Sequence, residues 1–209
     1  MDLDTFRTNI RLRLGIPSGD AMFSDTDLMN LTNTSIRHLS AEADWDWLIG
    51  SESINTVDAT ETITPGATWV RTIDLTIGVY APLRKITVDE LDYMDGASGQ
   101  PKFYAVMGGG IVLRPIPNAV YAIQHRFVKS ETALTSGANT PLVPTVFHDA
   151  IVEYASYLAF RRINQMTDAK AALEGYQMWL AKMHGRGDRY ADTTGGGENG
   201  GPPQAVDPK

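Results

Sequence analysis

The chain has 209 residues, 43% hydrophobic and 21% charged, which is enough apolar surface for one domain with a small inserted module. A formal charge of -7 with a pI near 5.0 argues against tight binding to nucleic-acid phosphate, and the lack of cysteine excludes disulfides, thiolate metal sites and cysteine nucleophiles. No apolar run approaches the roughly 18 residues of a membrane span, and the charged start, MDLDTFRTNIRLRLG, has no signal-peptide h-region.

Leu3, Phe6, Ile10 and Leu14 recur at helical spacing. Asp2 and Asp4 suit the N-terminal dipole end of that helix, Arg11 and Arg13 its C-terminal end, and Gly15 with Pro17 stops it. Ser24 is an N-cap with an acid, Asp27, at the N3 position. A second helix then carries Leu28, Leu31, Ser35 or Ile36, and Leu39 to about Ala43. Trp45 and Trp47 follow and read as the cap of a core where helix meets sheet, with a ligand platform as the alternative.

From residue 51 the composition turns to Thr, Ile and Val, and strands are expected at 53–57, 61–64, 68–75 and 83–88. Pro65-Gly66 suggests a turn, 89–94 a helical turn and 95–101 a loop. Residues 103–128 hold three alternating runs. Turn signals at Gly108-Gly109-Gly110 and at Asn118-Ala119 separate them, which predicts an antiparallel meander. Tyr121, Ile123, His125 and Phe127 share one face of the last run, and Pro115 and Pro117 end the second run or place it at an edge.

The polar stretch 129–144 reads as a connector arm anchored by Leu134 and Leu142. Thr145 can cap a third helix lined by Val146 or Phe147, Ala150, Ile151, Tyr154, Leu158 and Ile163. Thr167-Asp168 opens a fourth, with Ala169, Ala172, Leu173, Tyr176, Leu180 and Met183 inward, and Gly185 closes it. The remainder is rich in Gly and Pro and reads as a flexible tail that orders only on binding.

The expected fold is therefore α+β: a four-helix core with an inserted antiparallel β module and a flexible C-terminal tail. Residues 1–50 supply the N-terminal helices, 51–128 the β module, 129–144 the arm, 145–184 the C-terminal helices and 185–209 the tail.

No stretch spells out catalysis. His38, His125, His148 and His184 lack HExxH spacing, and only His125, on an apolar strand face, stands out as a buried hydrogen-bonded group or a subunit contact. Gly108–Gly110 lacks the Lys-Ser or Lys-Thr of a P-loop, and no GxSxG elbow is present. Asp25/Asp27 is explained by capping. Asp89/Glu90/Asp92 belongs at a helical turn, and neither it nor Asp44/Asp46 is placed in a predictable cleft, so a hydrolase is disfavoured. Arg186-Gly187-Asp188 spells an adhesion tripeptide, a weak signal in a Gly-rich tail. No catalytic, cofactor or metal residues are expected, and no enzyme.

Four features in this order resemble the head-to-tail adaptor (connector) proteins of tailed bacteriophages. The first helices end in Trp45 and Trp47, and a Thr/Ile/Val-rich segment reaches Tyr80-Ala81-Pro82-Leu83-Arg84-Lys85-Ile86. Phe103-Tyr104, Ile111-Val112-Leu113-Arg114-Pro115-Ile116-Pro117 and Tyr121-Ala122-Ile123 form a strand–proline–strand pattern. Residues 141–144 lead to an Ala- and Tyr-rich helix at 150–160, then to a helix bearing Tyr176 and Trp179. The resemblance covers about residues 20–184.

It implies a structural virion protein at the capsid–tail junction, assembled in the host cytoplasm as a ring of about twelve copies. Such a ring joins the portal to a downstream tail, nozzle or stopper protein, and DNA passes through it without specific binding. It also implies portal docking through the C-terminal segment, with Arg186, Arg189, Tyr190, Pro202, Pro203 and Val206 as contacts. The competing reading is a tail-associated carbohydrate- or receptor-binding module stacking its ligand on Trp45, Trp47, Trp69 or Tyr121.

Overall fold

The computed structural model describes residues 1–20, 22–78 and 81–195, so Tyr80 lies outside it. The protein is mixed α+β, and its N-terminal helices form where the capping signals place them. Helix α1 (Leu3–Leu14) begins at Asp2, whose carboxylate accepts from Thr5 N–H, and ends at Gly15, which takes φ 67° and returns its N–H to Arg11 and Leu12. Helix α2 (Asp25–Ala41) opens on a reciprocal capping box between Ser24 and Asp27.

The two acids of the first turn, Asp25 and Asp27, also tie helices together. Arg11 of α1 donates to Asp25, and Arg162, far along the chain, donates to Asp27 at 2.7 Å. The Arg162 bond, then the Ser24 hydroxyl, hold the Asp27 carboxyl at about 2 against its ordinary 3.8. Arg11 likewise holds Asp25 down. A carboxyl depressed on folding stabilises the protein above the unfolded value, and this contribution is lost as pH falls through the folded value. Thermal scans should therefore show stability falling between about pH 4 and pH 2, with a shallower fall in Asp27→Asn. An unchanged acid slope in that variant would refute the tie.

The β region is two four-stranded sheets and one short two-stranded pair, and it is not built around a three-stranded meander. Strands β1 (Ile49–Asn55), β2 (Thr62–Ile63), β3 (Trp69–Ile77), β4 (Ala81–Pro82) and β5 (Arg84–Lys85) precede a short helix, α3 (Val88–Asp92). Then come β6 (Ser98–Gly99), β7 (Phe103–Met107), β8 (Gly110–Arg114), β9 (Ile116–Pro117) and β10 (Ala122–Lys129). The first sheet has the order β1-β10-β3-β4 and the second β2-β8-β7-β5, with β5 and β7 parallel.

The β7–β8 hairpin is as expected: Gly108 (φ 61°) and Gly109 (φ 79°) form a two-residue loop closed by the Met107–Gly110 pair. The third run is not its continuation. β10 leaves for the first sheet, where it is paired on both sides, with Ile54 opposite Ile123 and Leu75 opposite His125. Pro115 and Pro117 lack the N–H groups a third meander strand would need from this link, and the chain bends at Asn118 and Ala119 before β10 begins. The expected strand at 83–88 is also cut short. Thr87 caps α3 in a second capping box with Glu90, so the chain turns helical at Val88. Ser98 and Gly99, expected in a loop, pair in parallel with Ile116 and Pro117.

The sheets face each other across one core, with Leu75, Ile77 and Ile123 of the first against Ile63, Tyr104, Ile111 and Leu113 of the second. Alternate residues Ala105 and Val112 point to the other side of the second sheet, where Ile86 and Leu91 cover them.

A separate core gathers Leu3, Phe6 and Ile10 of α1 and Leu28, Ile36 and Leu39 of α2. It continues through Ala150, Ile151 and Ala155 of α4 (His148–Arg162) to Tyr176 and Met183 of α5 (Met166–Gly195). Val128 of β10 and Leu134, Val143 and Phe147 of the following segments complete it, so strand and arm residues share the helical core.

Three further expectations change at the C-terminal side. Thr145 caps nothing: residues Thr145–Phe147 form a 3-10 turn, and α4 starts at His148 without a side-chain cap. The arm is docked rather than loose. Leu134 is buried as expected, but Val143, not the 44% exposed Leu142, is its second anchor. Gly185 does not close the last helix, because α5 runs on to Gly195. A helical glycine costs only about 1 kcal/mol relative to Ala, and the long preceding helix propagates through it.

Candidate assembly surfaces

The residues with the most suggestive chemistry are used in packing. Trp45 and Trp47 stack at 4.9 Å and 7°, and Trp45 Nε1 donates to the Leu39 carbonyl at 2.7 Å, within the helical core. Trp69 and Tyr121 pack against the core between the sheets. Of these four rings Trp45 is buried and the other three are half-buried.

His125 is fully buried and is the central link of a polar chain inside the first sheet. Trp69 Nε1 donates to Thr72 Oγ1 (3.1 Å), that hydroxyl meets His125 Nε2 (3.1 Å), and His125 Nδ1 meets Glu52 Oε1 (2.9 Å). Gly66 N–H also donates to Glu52, so each strand of the chain is pinned to its neighbour or to the adjoining turn. This is the buried, hydrogen-bonded alternative for His125, not the subunit contact.

The other histidines are equally occupied. His38 stacks on Tyr154 at 4.2 Å, and His184 tilts over Trp45 at 5.0 Å. His148 Nε2 donates to the Val143 carbonyl (2.8 Å), its Nδ1 faces the Met1 amine, and burial pushes its pKa down. Among the described residues no group of His, Cys, Asp or Glu is arranged to hold a metal. Asp44 pairs with Arg71, the Glu90 carboxylate accepts from Thr87 N–H in the box that opens α3, and Asp89 and Asp92 are exposed. Among the described residues no helix is long and apolar enough to cross a membrane.

The expected contact residues divide. Arg186, Arg189 and Tyr190 lie on the helical backbone of α5, as does the Arg186-Gly187-Asp188 tripeptide. Pro202, Pro203 and Val206 lie outside the described residues.

What remains available is surface. β1 is the outer strand of the first sheet, seven residues long, and its sequence, IGSESIN, contains no Pro or Lys to discourage edge pairing. The other outer strands, β4, β2 and β5, have two residues each.

On the helical side a cleft of about 490 Å³ opens between α1, α4 and α5, lined by Leu12, Arg13, Asp149, Glu153 and Trp179 among others. A second depression sharing Arg13 and Glu153 continues it toward Asp168, Glu174 and Met178. Glu153 is 7% exposed, and Arg13 donates to one of its carboxylate oxygens. The other oxygen, Oε2, has no hydrogen-bond partner among the described residues. Gly175 leaves room for this carboxylate: a Cβ there would stand 3.0 Å from Glu153 Cδ. Sequence reading missed both Glu153 and Arg13, because they pair across 140 positions.

Residues 1–200 match the family model described as SU10 adaptor protein. No curated protein matches the chain.

Proposed function

Because the chain belongs to the SU10 adaptor protein family, and is thus a structural adaptor-type component of a phage virion, we propose that it forms the ring joining portal to tail. In this reading about twelve copies close through head-to-tail contacts and extend the DNA channel, and a downstream tail protein docks below. The acidic balance of the chain suits a wall that duplex DNA passes without being held. Residues 51–128 act as the rigid β module, 1–50 and 145–184 as the helical body, 129–144 as the arm between them, and 185–209 as the portal-docking segment.

The observation that carries the docking role is the length of α5. Met183 is its last member in the helical core, yet the helix continues to Gly195, about 18 Å further at 1.5 Å per residue. This segment carries Arg186, Arg189 and Tyr190, and a helix laid in a groove is a common mode of recognition. Pro202, Pro203 and Val206 would extend the contact. The binding-module alternative is weakened by the aromatic rings, of which Trp45 is buried and Trp47, Trp69 and Tyr121 are half-buried against the cores.

Deleting residues 190–209 should leave the melting temperature within a few degrees of the parent and sharply reduce co-sedimentation with the portal protein. Undiminished co-sedimentation of the truncated chain would remove the C-terminal segment from the docking role.

A further inference from the structure

Among the described residues the α1/α4/α5 cleft carries more negative than positive charge. Asp149, Glu153, Asp168 and Glu174 line it, against Arg13 on Glu153 and Lys170, which stands 3.9 Å from Glu174. At its floor is the unpartnered Oε2 of a carboxylate that is more than nine-tenths buried. A buried carboxylate oxygen without a donor is costly, and an incoming ammonium or guanidinium would relieve that cost. Exposed Leu12 and Met178 give the cleft an apolar rim, which suits the methylene stem of a Lys or Arg.

The matching surface is on the same chain. Arg84 and Lys85 are exposed on β5, the outer strand of the second sheet, and Lys102 is exposed beside them, its carbonyl accepting from Arg84 N–H at 2.9 Å. None of the three is in an ion pair among the described residues; Arg37, Lys129, Arg161 and Lys182 are also outside the ion pairs but stand singly on α2, β10, α4 and α5. Within one subunit the two surfaces belong to different layers. The helical core draws on Val128 and Ile73 of the first sheet and on nothing from the second. A basic edge and an acidic cleft separated in this way can meet only between copies, and such a heterologous contact closes into a ring when the rotation permits.

We propose that the α1/α4/α5 cleft seats the basic β5 edge of the neighbouring copy, with Arg84 donating to Glu153 and Lys85 at the margin of the contact. The proposal rests on the ring reading above and names its lateral interface. The chain has no cysteine, so a designed pair reports cleanly. Lys85→Cys and Glu174→Cys, both on exposed side chains, are combined in the full chain, which is mixed with the portal protein, imaged and then oxidised.

Rings on the portal and a disulfide ladder climbing from dimer to the closed ring are expected, with no more than dimers from either single variant. A control combining Lys85→Cys with Val120→Cys, on the exposed turn before β10, should give no ladder. Rings without a ladder, or an equal ladder from the control, would overturn this interface and leave the adaptor reading standing. An absence of rings with the parent chain would overturn both.

Discussion

Leu113→Asp should leave the chain unable to fold. Leu113 is fully buried in β8, opposite Tyr104 of β7, and packs in the core between the two sheets. The substitution removes a full leucine burial, about 1.5–3 kcal/mol, and puts a carboxylate where no donor is available. Leaving that carboxyl buried adds several kcal/mol more, and a domain of this kind is stable by only about 5–15 kcal/mol. Soluble expression and a cooperative thermal transition should both disappear. Leu113→Met is the control, since a volume-conserving swap costs less than about 1.5 kcal/mol and should keep the transition. Phe127→Asp should fail in the same way, because its ring lies over Gly50 of β1, so close that a Cβ on Gly50 would stand 3.0 Å from it. Native-like melting of either aspartate variant would mean that the sheets do not pack as described.

Asn33→Asp, a change of one atom type, should cost roughly 3 kcal/mol and lower the melting temperature by about 6–12 °C. Asn33 is buried on α2 and grips the arm with both ends of its amide. Its Nδ2 donates to the Leu134 carbonyl at 2.9 Å, and its Oδ1 accepts from Leu134 N–H at 2.8 Å. Aspartate can still accept from the N–H, but its second oxygen then faces a carbonyl oxygen with no proton between them. Asn33→Leu should be similarly destabilised, since it leaves both backbone groups of the buried Leu134 unpaired. Unfolding curves for the two variants that overlay the parent would show that the arm adds nothing to stability.

The parts of this fold that are legible in the sequence are those fixed by neighbours along the chain. Asp2, Ser24 with Asp27, and Gly15 mark helix ends because a cap acts within three or four residues. The alternation from Ile123 to Phe127 correctly gives the buried face of β10, since the period of a strand is a property of its own backbone.

Which strand β10 pairs with is not encoded in that period. Its partners, Ile49–Asn55 and Trp69–Ile77, are chosen by the fit of two whole surfaces, and adjacency in sequence with β8 suggested the wrong one. The same limit hid Asn33, a polar residue whose partner lies 101 positions away, and Glu153, whose partner lies 140 positions away. Gly185 misled for another reason. Glycine marks a helix end only when the chain takes up the left-handed turn it permits, as Gly15 does and Gly185 does not.

The docked arm has a consequence for the order of events on the ribosome. The first N–H groups of α1, Leu3 and Asp4, are satisfied by the carbonyls of Asn139 and Gly137, and Arg13 waits for Glu153. At about 5–20 residues per second, α1 leaves the exit tunnel several seconds before any of these partners exists. Both sheets, by contrast, are complete once Lys129 has been made. A helix made early is therefore among the last elements to gain all its partners, and the part of its apolar face that α4 covers stays open while the sheets assemble behind it.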